Sequence, residues 1–115
     1  MGKADRDKIC AEFHDAVNMS AAEIGKWLKS EESQSVGWKA KDGLAKESVG
    51  HASGRQIVEI LGKTKQQLTT EDYAHMRKVV GFIHRHSAQR PVNIYTSRWR
   101  YSLMNWGHDP VKDDE

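Results

Sequence analysis

The chain has 115 residues, of which 37% are hydrophobic and 30% charged, and its formal net charge at pH 7 is +2. This balance favours one folded domain and excludes both a disordered chain and two ordinary domains. The single cysteine excludes an internal disulfide and a cysteine-based zinc site. No apolar run is long enough to cross a bilayer, and the first residues lack the apolar core of a signal peptide, so the sequence predicts a cytoplasmic protein without a membrane partner.

Apolar spacing and a capping pattern predict the first two helices. An apolar series that includes Phe13 recurs every three or four residues and predicts a helix over about 5–18. Ser20 followed by Glu23 matches a capping box, in which each side chain accepts a backbone N–H of the first turn. The second helix begins there and carries Trp27 on its apolar face. Phe13 and Trp27 are therefore predicted core residues.

Periodicity disappears over 31–52, where glycine and serine are frequent, so the sequence predicts a long loop. Ser53 is the predicted cap of a third helix, whose apolar face includes the core residues Ile57 and Leu61. The amides that follow Ser53, together with the Arg55 side chain, would form an anion site at a helix start. An ordinary cap without a ligand explains the same residues.

The strongest start signal in the chain lies at Thr69. Leu68 and Tyr73 flank this cap at the positions of a hydrophobic staple, which predicts a fourth helix over about 70–89, before Pro91. Its apolar side carries the predicted core residues Val80 and Ile83.

The other side of the fourth helix is predicted to be basic. Residues 73–108 contain six Lys or Arg residues and no Asp or Glu. Such a face binds phosphates by charge, and a glycine within it would let a ligand backbone approach closely. A solvated face that serves only solubility is the alternative. The predicted nucleic-acid site consists of Arg55, Arg77, Lys78, Gly81 and Arg85.

The segment WRYSLMNWGHDP, residues 99–110, predicts a fifth helix that is capped at residue 96 or 97 and ends before Gly107. Its apolar side is predicted to be core, with an aromatic ligand platform as the alternative. That side carries Trp99, Leu103 and Trp106. Its second side, with Arg98, Tyr101 and Asn105, remains available to a partner.

These elements predict an all-α protein of about five helices in one domain over 1–115. The predicted core spans 5–110, the predicted loop spans 31–52, and a short acidic tail follows at 111–115.

The sequence contains no recognised catalytic or cofactor motif. His108 and Asp109 adjoin a helix end, but no serine or cysteine nucleophile stands in a recognisable context beside them. Cys10 and His14 share a helix face and would supply only two metal ligands. The sequence therefore predicts no enzyme, no metal and no cofactor.

Three segments resemble a known family. SVGHASGRQIVEIL at 48–61, HMRKVVGFIHRH at 75–86 and WRYSLMNWGHDP at 99–110 are similar to the small uncharacterised family catalogued as domain of unknown function 3140. The resemblance covers about two thirds of the chain. Members of this family are often labelled as DNA-binding proteins. Carried over to this chain, the label falls on Arg55, Arg77, Lys78 and Arg85.

Two functional hypotheses follow. The first is a small helical protein that binds nucleic acid, DNA in the first instance, through the basic face of the fourth helix. The second is a protein-interaction or self-association module, in which the long loop and the C-terminal helix dock an acidic partner protein or a second copy of the chain.

Overall fold

Six α-helices make up the described part of the chain, which comprises residues 2–36 and 48–112 of a computed structural model. They are α1 Lys3–Ala16, α2 Ala21–Leu28, α3 Glu31–Ser35, α4 Val49–Leu61, α5 Thr70–Ser87 and α6 Arg98–Asn105. A short 3-10 turn, Lys65–Gln67, precedes α5, and the described ranges contain no strand. The predicted all-α class and single domain are confirmed, with one helix more than predicted.

Two helices begin at the side-chain caps that the sequence predicted. The Thr69 side chain accepts the Asp72 amide, and the Asp72 carboxylate accepts the Thr69 N–H at 2.9 Å. Ser20 and Glu23 form the same reciprocal pair at the start of α2. These starts were predictable because the groups that form them lie three residues apart.

The predicted loop over 31–52 is wrong at both ends. The Ser30 side chain caps α3, which begins directly at the predicted loop start. The Ser48 side chain accepts the His51 amide at 3.1 Å and starts α4 five residues before Ser53. Residues 37–47 of that loop and 113–115 of the predicted acidic tail lie outside the described ranges.

Ser53 is therefore not a cap, and the anion site predicted at that helix start is wrong. Ser53 lies inside α4 with 2% of its surface exposed. The amides of Gly54 and Arg55 belong to the interior of the helix, where backbone N–H groups bond to carbonyls one turn earlier.

Close packing explains why α4 contains two glycines, of which Gly50 was assigned to the predicted loop. A Cβ on Gly54 would lie 2.6 Å from the Asn105 carbonyl oxygen and 2.7 Å from Leu28 Cδ2. A Cβ on Gly50 would lie 3.0 Å from Trp106 Nε1. The glycines thus let α4 approach α2 and α6, and this contact outweighs their poor helix propensity.

The helices pack in pairs around one core. α1 lies on α5, α2 lies on α4, and α6 contacts α2, α3, α4 and α5. The predicted core residues divide into a buried group and a partly buried group that packs against it. The buried ones are Phe13, Ile57, Val80, Ile83, Leu103 and Trp106, and the partly buried ones are Trp27, Leu61 and Trp99.

The turn after α6 fastens the C-terminal segment to the turn between α1 and α2. Gly107 has φ +82°, a left-handed conformation that favours glycine. His108 Nδ1 is hydrogen-bonded to the Ala16 carbonyl oxygen at 2.7 Å. The Asn18 side chain donates to the Asp109 carbonyl and accepts the Asp109 amide, at 2.9 and 2.7 Å. WRYSLMNWGHDP therefore combines core packing with a polar attachment to α1.

Candidate functional site

The four predicted site residues of α5 lie along two sides of that helix. Arg77 and Gly81 line a hollow between α5 and α1. Lys78 and Arg85 line a groove that α5 forms with α4 and α6. A Cβ on Gly81 would lie 3.0 Å from Arg85 Nη1, so the Arg85 guanidinium already covers the glycine that was predicted as an approach point.

Both signs of charge line the hollow between α1 and α5. It has a volume of about 670 Å³, and Arg77 shares its lining with Asp5, Lys8 and Glu12 of α1. Lys8 Nζ lies 3.9 Å from Glu12 Oε1. The segment around Arg77 is free of acids along the chain, but packing brings carboxylates from α1 next to it. A phosphate at Arg77 would also meet these carboxylates.

A second concave surface, which we call the Trp106 groove, lies between α4, α5 and α6. It consists of two hollows of about 340 and 460 Å³ that share Val49, Lys78 and Trp106 as lining residues. Arg85 lines the smaller hollow, and Arg55 lines the larger one. The structure thus brings three of the predicted site residues to one groove.

The cations of the Trp106 groove are accessible. Arg55, Lys78 and Arg85 are all exposed. Neither Lys78 nor Arg85 forms an ion pair with a carboxylate of the described residues. Glu59 lines the larger hollow together with Arg55 and Lys78. The smaller hollow has no carboxylate among its described lining residues.

Five stacked rings from α5 and the α6 segment run beside the groove, and we call them the ring stack: His75, Trp106, Phe82, His86 and Trp99. The Phe82 and Trp106 rings are nearly parallel, at 15°, with centroids 4.3 Å apart. Phe82 also stacks on His86 at 5.0 Å, and His75 stacks on Trp106 at 6.2 Å. His86 and Trp99 complete the series at 6.3 Å. The smaller hollow therefore has an aromatic side.

Both histidines of the ring stack favour the neutral form. Burial lowers the pKa of His75, and the neighbouring Lys78 lowers it further, although Ser53 Oγ lies within hydrogen-bond distance of His75 Nε2 at 2.9 Å. Burial also lowers the pKa of His86, whose buried Nε2 has no hydrogen-bond partner among the described residues. The ring stack is therefore uncharged at neutral pH, and the charge of the groove resides on its exposed cations and on Glu59.

The sequence contained a signal for the ring stack that the prediction missed. His75, Phe82 and His86 follow one another at intervals of seven and four residues, which places them on one side of α5. Trp99 and Trp106 are also seven apart. Each series alone is typical of helix packing, and only the contact between α5 and α6 shows that the rings stack on each other.

His108 and Asp109, the pair considered for catalysis, hold the C-terminal turn in place. Arg100 Nε and Nη2 donate to the two carboxylate oxygens of Asp109, at 3.1 and 3.2 Å. Within the described ranges, no group of three or more His, Cys, Asp or Glu side chains is placed to hold a metal ion. None of the described helices combines the length and the apolar character that a membrane span requires.

A comparison with known families identifies the chain. The profile of one family, described as "Protein of unknown function (DUF3140)", matches residues 12–104. No curated protein and no solved structure matches the chain. The matched region includes α2, α3, α4 and α5 in full, and with them the three cations of the Trp106 groove. The chain therefore belongs to the DUF3140 family, as its three motifs predicted.

Proposed function

We propose that this protein binds nucleic acid by placing the phosphate backbone along the Trp106 groove. The observation that carries the proposal is the convergence of Arg55, Lys78 and Arg85, from two helices, on one concave surface. Exposed cations along a groove bind phosphates by releasing condensed counterions from the nucleic acid. Lys78 and Arg85 pair with no carboxylate of residues 2–36 and 48–112, so a phosphate meets little competition from that part of the chain.

A salt titration tests the proposal. Affinity for DNA and RNA oligonucleotides, measured by fluorescence anisotropy, should fall as salt rises, by about 0.9 in log K per log unit of salt for each phosphate neutralised on duplex DNA. The variant Arg55→Ala/Lys78→Ala/Arg85→Ala should bind weakly and show a shallower salt dependence, by about one unit of slope for each lost contact.

A control variant removes the same charge elsewhere. Lys3, Lys26 and Lys29 are exposed and do not line the groove. Their triple alanine variant should retain most of the affinity. Arg77→Ala should also have a small effect, because Asp5 and Glu12 line the hollow beside Arg77. Absence of binding at low salt, or equal losses in both triple variants, would contradict the proposal.

A protein-interaction or self-association module is the second candidate, and apolar exposure between α5 and α6 favours it. Val92 is fully exposed, and Tyr95 is 61% exposed. Light scattering and pull-down after nuclease treatment separate the two candidates, because a protein partner or a second copy persists when nucleic acid is removed. Val92→Ser/Tyr95→Ser should then abolish the association and leave nucleic-acid binding unchanged.

A further inference from the structure

We infer that the smaller hollow of the Trp106 groove admits an unpaired nucleobase, which makes the protein a binder of single-stranded nucleic acid. The inference rests on the proposed function and specifies its substrate class. The occupant must combine a flat apolar body with negative charge beside it, because the hollow combines an aromatic side with Lys78 and Arg85. A base with its flanking phosphates has this chemistry.

The dimensions of the hollow fit this occupant. Its volume of about 340 Å³ lies at the lower end of the range typical of small-molecule sites, roughly 300–1,000 Å³. Phe82 is half-buried and lines the hollow together with the apolar Val49 and the buried Trp106. A base inside the hollow therefore contacts Phe82 and Trp106, which are part of the core or packed against it, and the more exposed Val49.

The cations stand where flanking phosphates would lie. Lys78 and Arg85 are two turns apart on α5, which corresponds to about 10 Å along the helix axis. Both residues line the same hollow. A base that enters between them leaves the phosphate before it near one cation and the phosphate after it near the other.

The polar groups of the hollow further restrict the ligand. The Asn105 amide is occupied by bonds to Trp27 and Ser33. The Ser102 hydroxyl lines the hollow and has no hydrogen bond to a described residue, so it can bond to the edge of a base. In duplex DNA the edge of each base is paired and its faces are stacked on neighbouring bases. A base of a duplex would therefore first have to be extruded, at an energetic cost.

The test compares single strands of equal charge with each other and with a duplex, which carries twice their phosphate charge. An oligothymidylate dodecamer, an abasic dodecamer with the same phosphates, and a duplex of the same length are titrated at one low salt concentration. An oligouridylate dodecamer, added as a fourth ligand, compares RNA with DNA. The base-bearing single strands should bind at least about tenfold more tightly than the abasic strand. The duplex should bind less tightly than the base-bearing single strands, although it carries more phosphates.

A variant that fills the hollow provides the second arm of the test. Ser102→Leu adds an apolar side chain at the hollow and leaves every cation in place. It should reduce affinity for oligothymidylate to the level of the abasic strand, whose own affinity should not change. Ala74→Leu, which adds the same side chain at an exposed position of α5 outside the groove, should behave as wild type.

A measurement on the unmodified protein keeps the inference testable if Ser102→Leu fails to fold. Thymidine monophosphate should shift the NMR resonances of the Phe82 ring and the Trp106 indole. Equal affinity of the wild-type protein for base-bearing and abasic strands, or unshifted Phe82 and Trp106 resonances, would overturn the inference while the proposed function stands. Failure to bind any of the four ligands would overturn both.

Discussion

Asn105 connects three helices through one side chain. Its Oδ1 accepts the Trp27 indole N–H at 2.7 Å and the Ser33 hydroxyl, and its Nδ2 donates to the Ser33 carbonyl at 3.0 Å. Asn105 and Ser33 are almost completely buried, with 1% and 0% of their surfaces exposed. A buried amide whose oxygen and nitrogen are both hydrogen-bonded fixes the relative positions of the elements it joins.

We predict that Asn105→Ala lowers the free energy of unfolding by about 2–3 kcal/mol, because it leaves buried polar groups of Ser33 and the half-buried Trp27 indole without partners. Chemical denaturation measures the change. Asn93→Ala, at an exposed position, is the control and should change stability by less than about 0.5 kcal/mol. Equal effects of the two variants would show that the Asn105 bonds do not contribute to stability.

The role of Asn105 could not be read from the sequence. Helical spacing places it on the side of α6 that carries Arg98 and Tyr101, and that side was predicted to be available to a partner. The groups that Asn105 bonds lie more than seventy residues earlier in the chain. A polar residue is recognisable as a core residue only when its distant partners are known.

At the scale of the elements, glycine has opposite effects on stability in α2 and α4. Gly25 of α2 has nothing within 4 Å of an added Cβ, whereas a Cβ on Gly54 of α4 would collide with the Asn105 carbonyl and with Leu28. Gly25 lowers the helix propensity of α2 without serving any close contact, while Gly54 permits the close approach of three helices.

We therefore predict opposite signs for two identical substitutions. Gly54→Ala should destabilise the protein by about 2–3 kcal/mol, because the backbone of α6 must move to relieve the contact. Gly25→Ala should stabilise it by about 0.5–1 kcal/mol through the better helix propensity of alanine. Thermal unfolding followed by circular dichroism compares them. A common sign for both variants would mean that propensity, and not packing, governs α4.

The same comparison shows which helix boundaries were predictable. The start of α5 depends on Thr69 and Asp72, which are neighbours in sequence, so a local pattern sufficed. The start of α4 also has a local cap, Ser48, but its first turn contains Gly50, which was assigned to a loop because its packing against Trp106 could not be read from the sequence. The capping pattern was thus sufficient at α2 and α5 and was missed at α4, where close helix approach places glycine inside the helix.

At the scale of the whole molecule, the ring stack makes stability depend on pH. The pKa values of His75 and His86 lie below their ordinary value of 6.5 in the folded protein, chiefly because of burial. Below pH 6.5 the unfolded chain therefore binds more protons than the folded one, and the free energy of unfolding falls as pH decreases. The loss begins near pH 6.5 and continues down to the pKa values of the folded protein.

We predict that His86→Phe reduces this loss of stability between about pH 7 and pH 5, because phenylalanine keeps an aromatic ring in the stack and removes the titrating group. Denaturation curves at a series of pH values measure it. His84→Gln, at an exposed position of the same helix, should leave the pH dependence unchanged. The pKa of Glu23, lowered to about 2, and that of Asp72, also lowered, affect stability only at more acidic pH. An unchanged slope in His86→Phe would exclude His86 as the source.

The candidate site shows the limit of sequence at this largest scale. The exposed positions of Arg77, Lys78 and Arg85 on α5 follow from helical spacing alone. Arg77 lines a hollow together with carboxylates of α1, whereas Lys78 and Arg85 line the smaller hollow of the groove, where no described lining residue is a carboxylate. This division depends on where α1 and α4 pack. Arg55 joins Lys78 through the placement of α4 beside α5. Charge was therefore predictable, whereas its environment was not.

The pairing of α1 with α5 and of α2 with α4 is nested, and this order has a consequence for folding kinetics. The inner pair closes the shorter loop, from Leu28 to Val49, and the outer pair closes the longer one, from Ala16 to Thr70. Contacts between distant segments form more slowly, because more chain entropy is lost before they contribute. During synthesis, the apolar residues Ile9 and Phe13 therefore leave the ribosome well before their partner helix, which is complete only after residue 87.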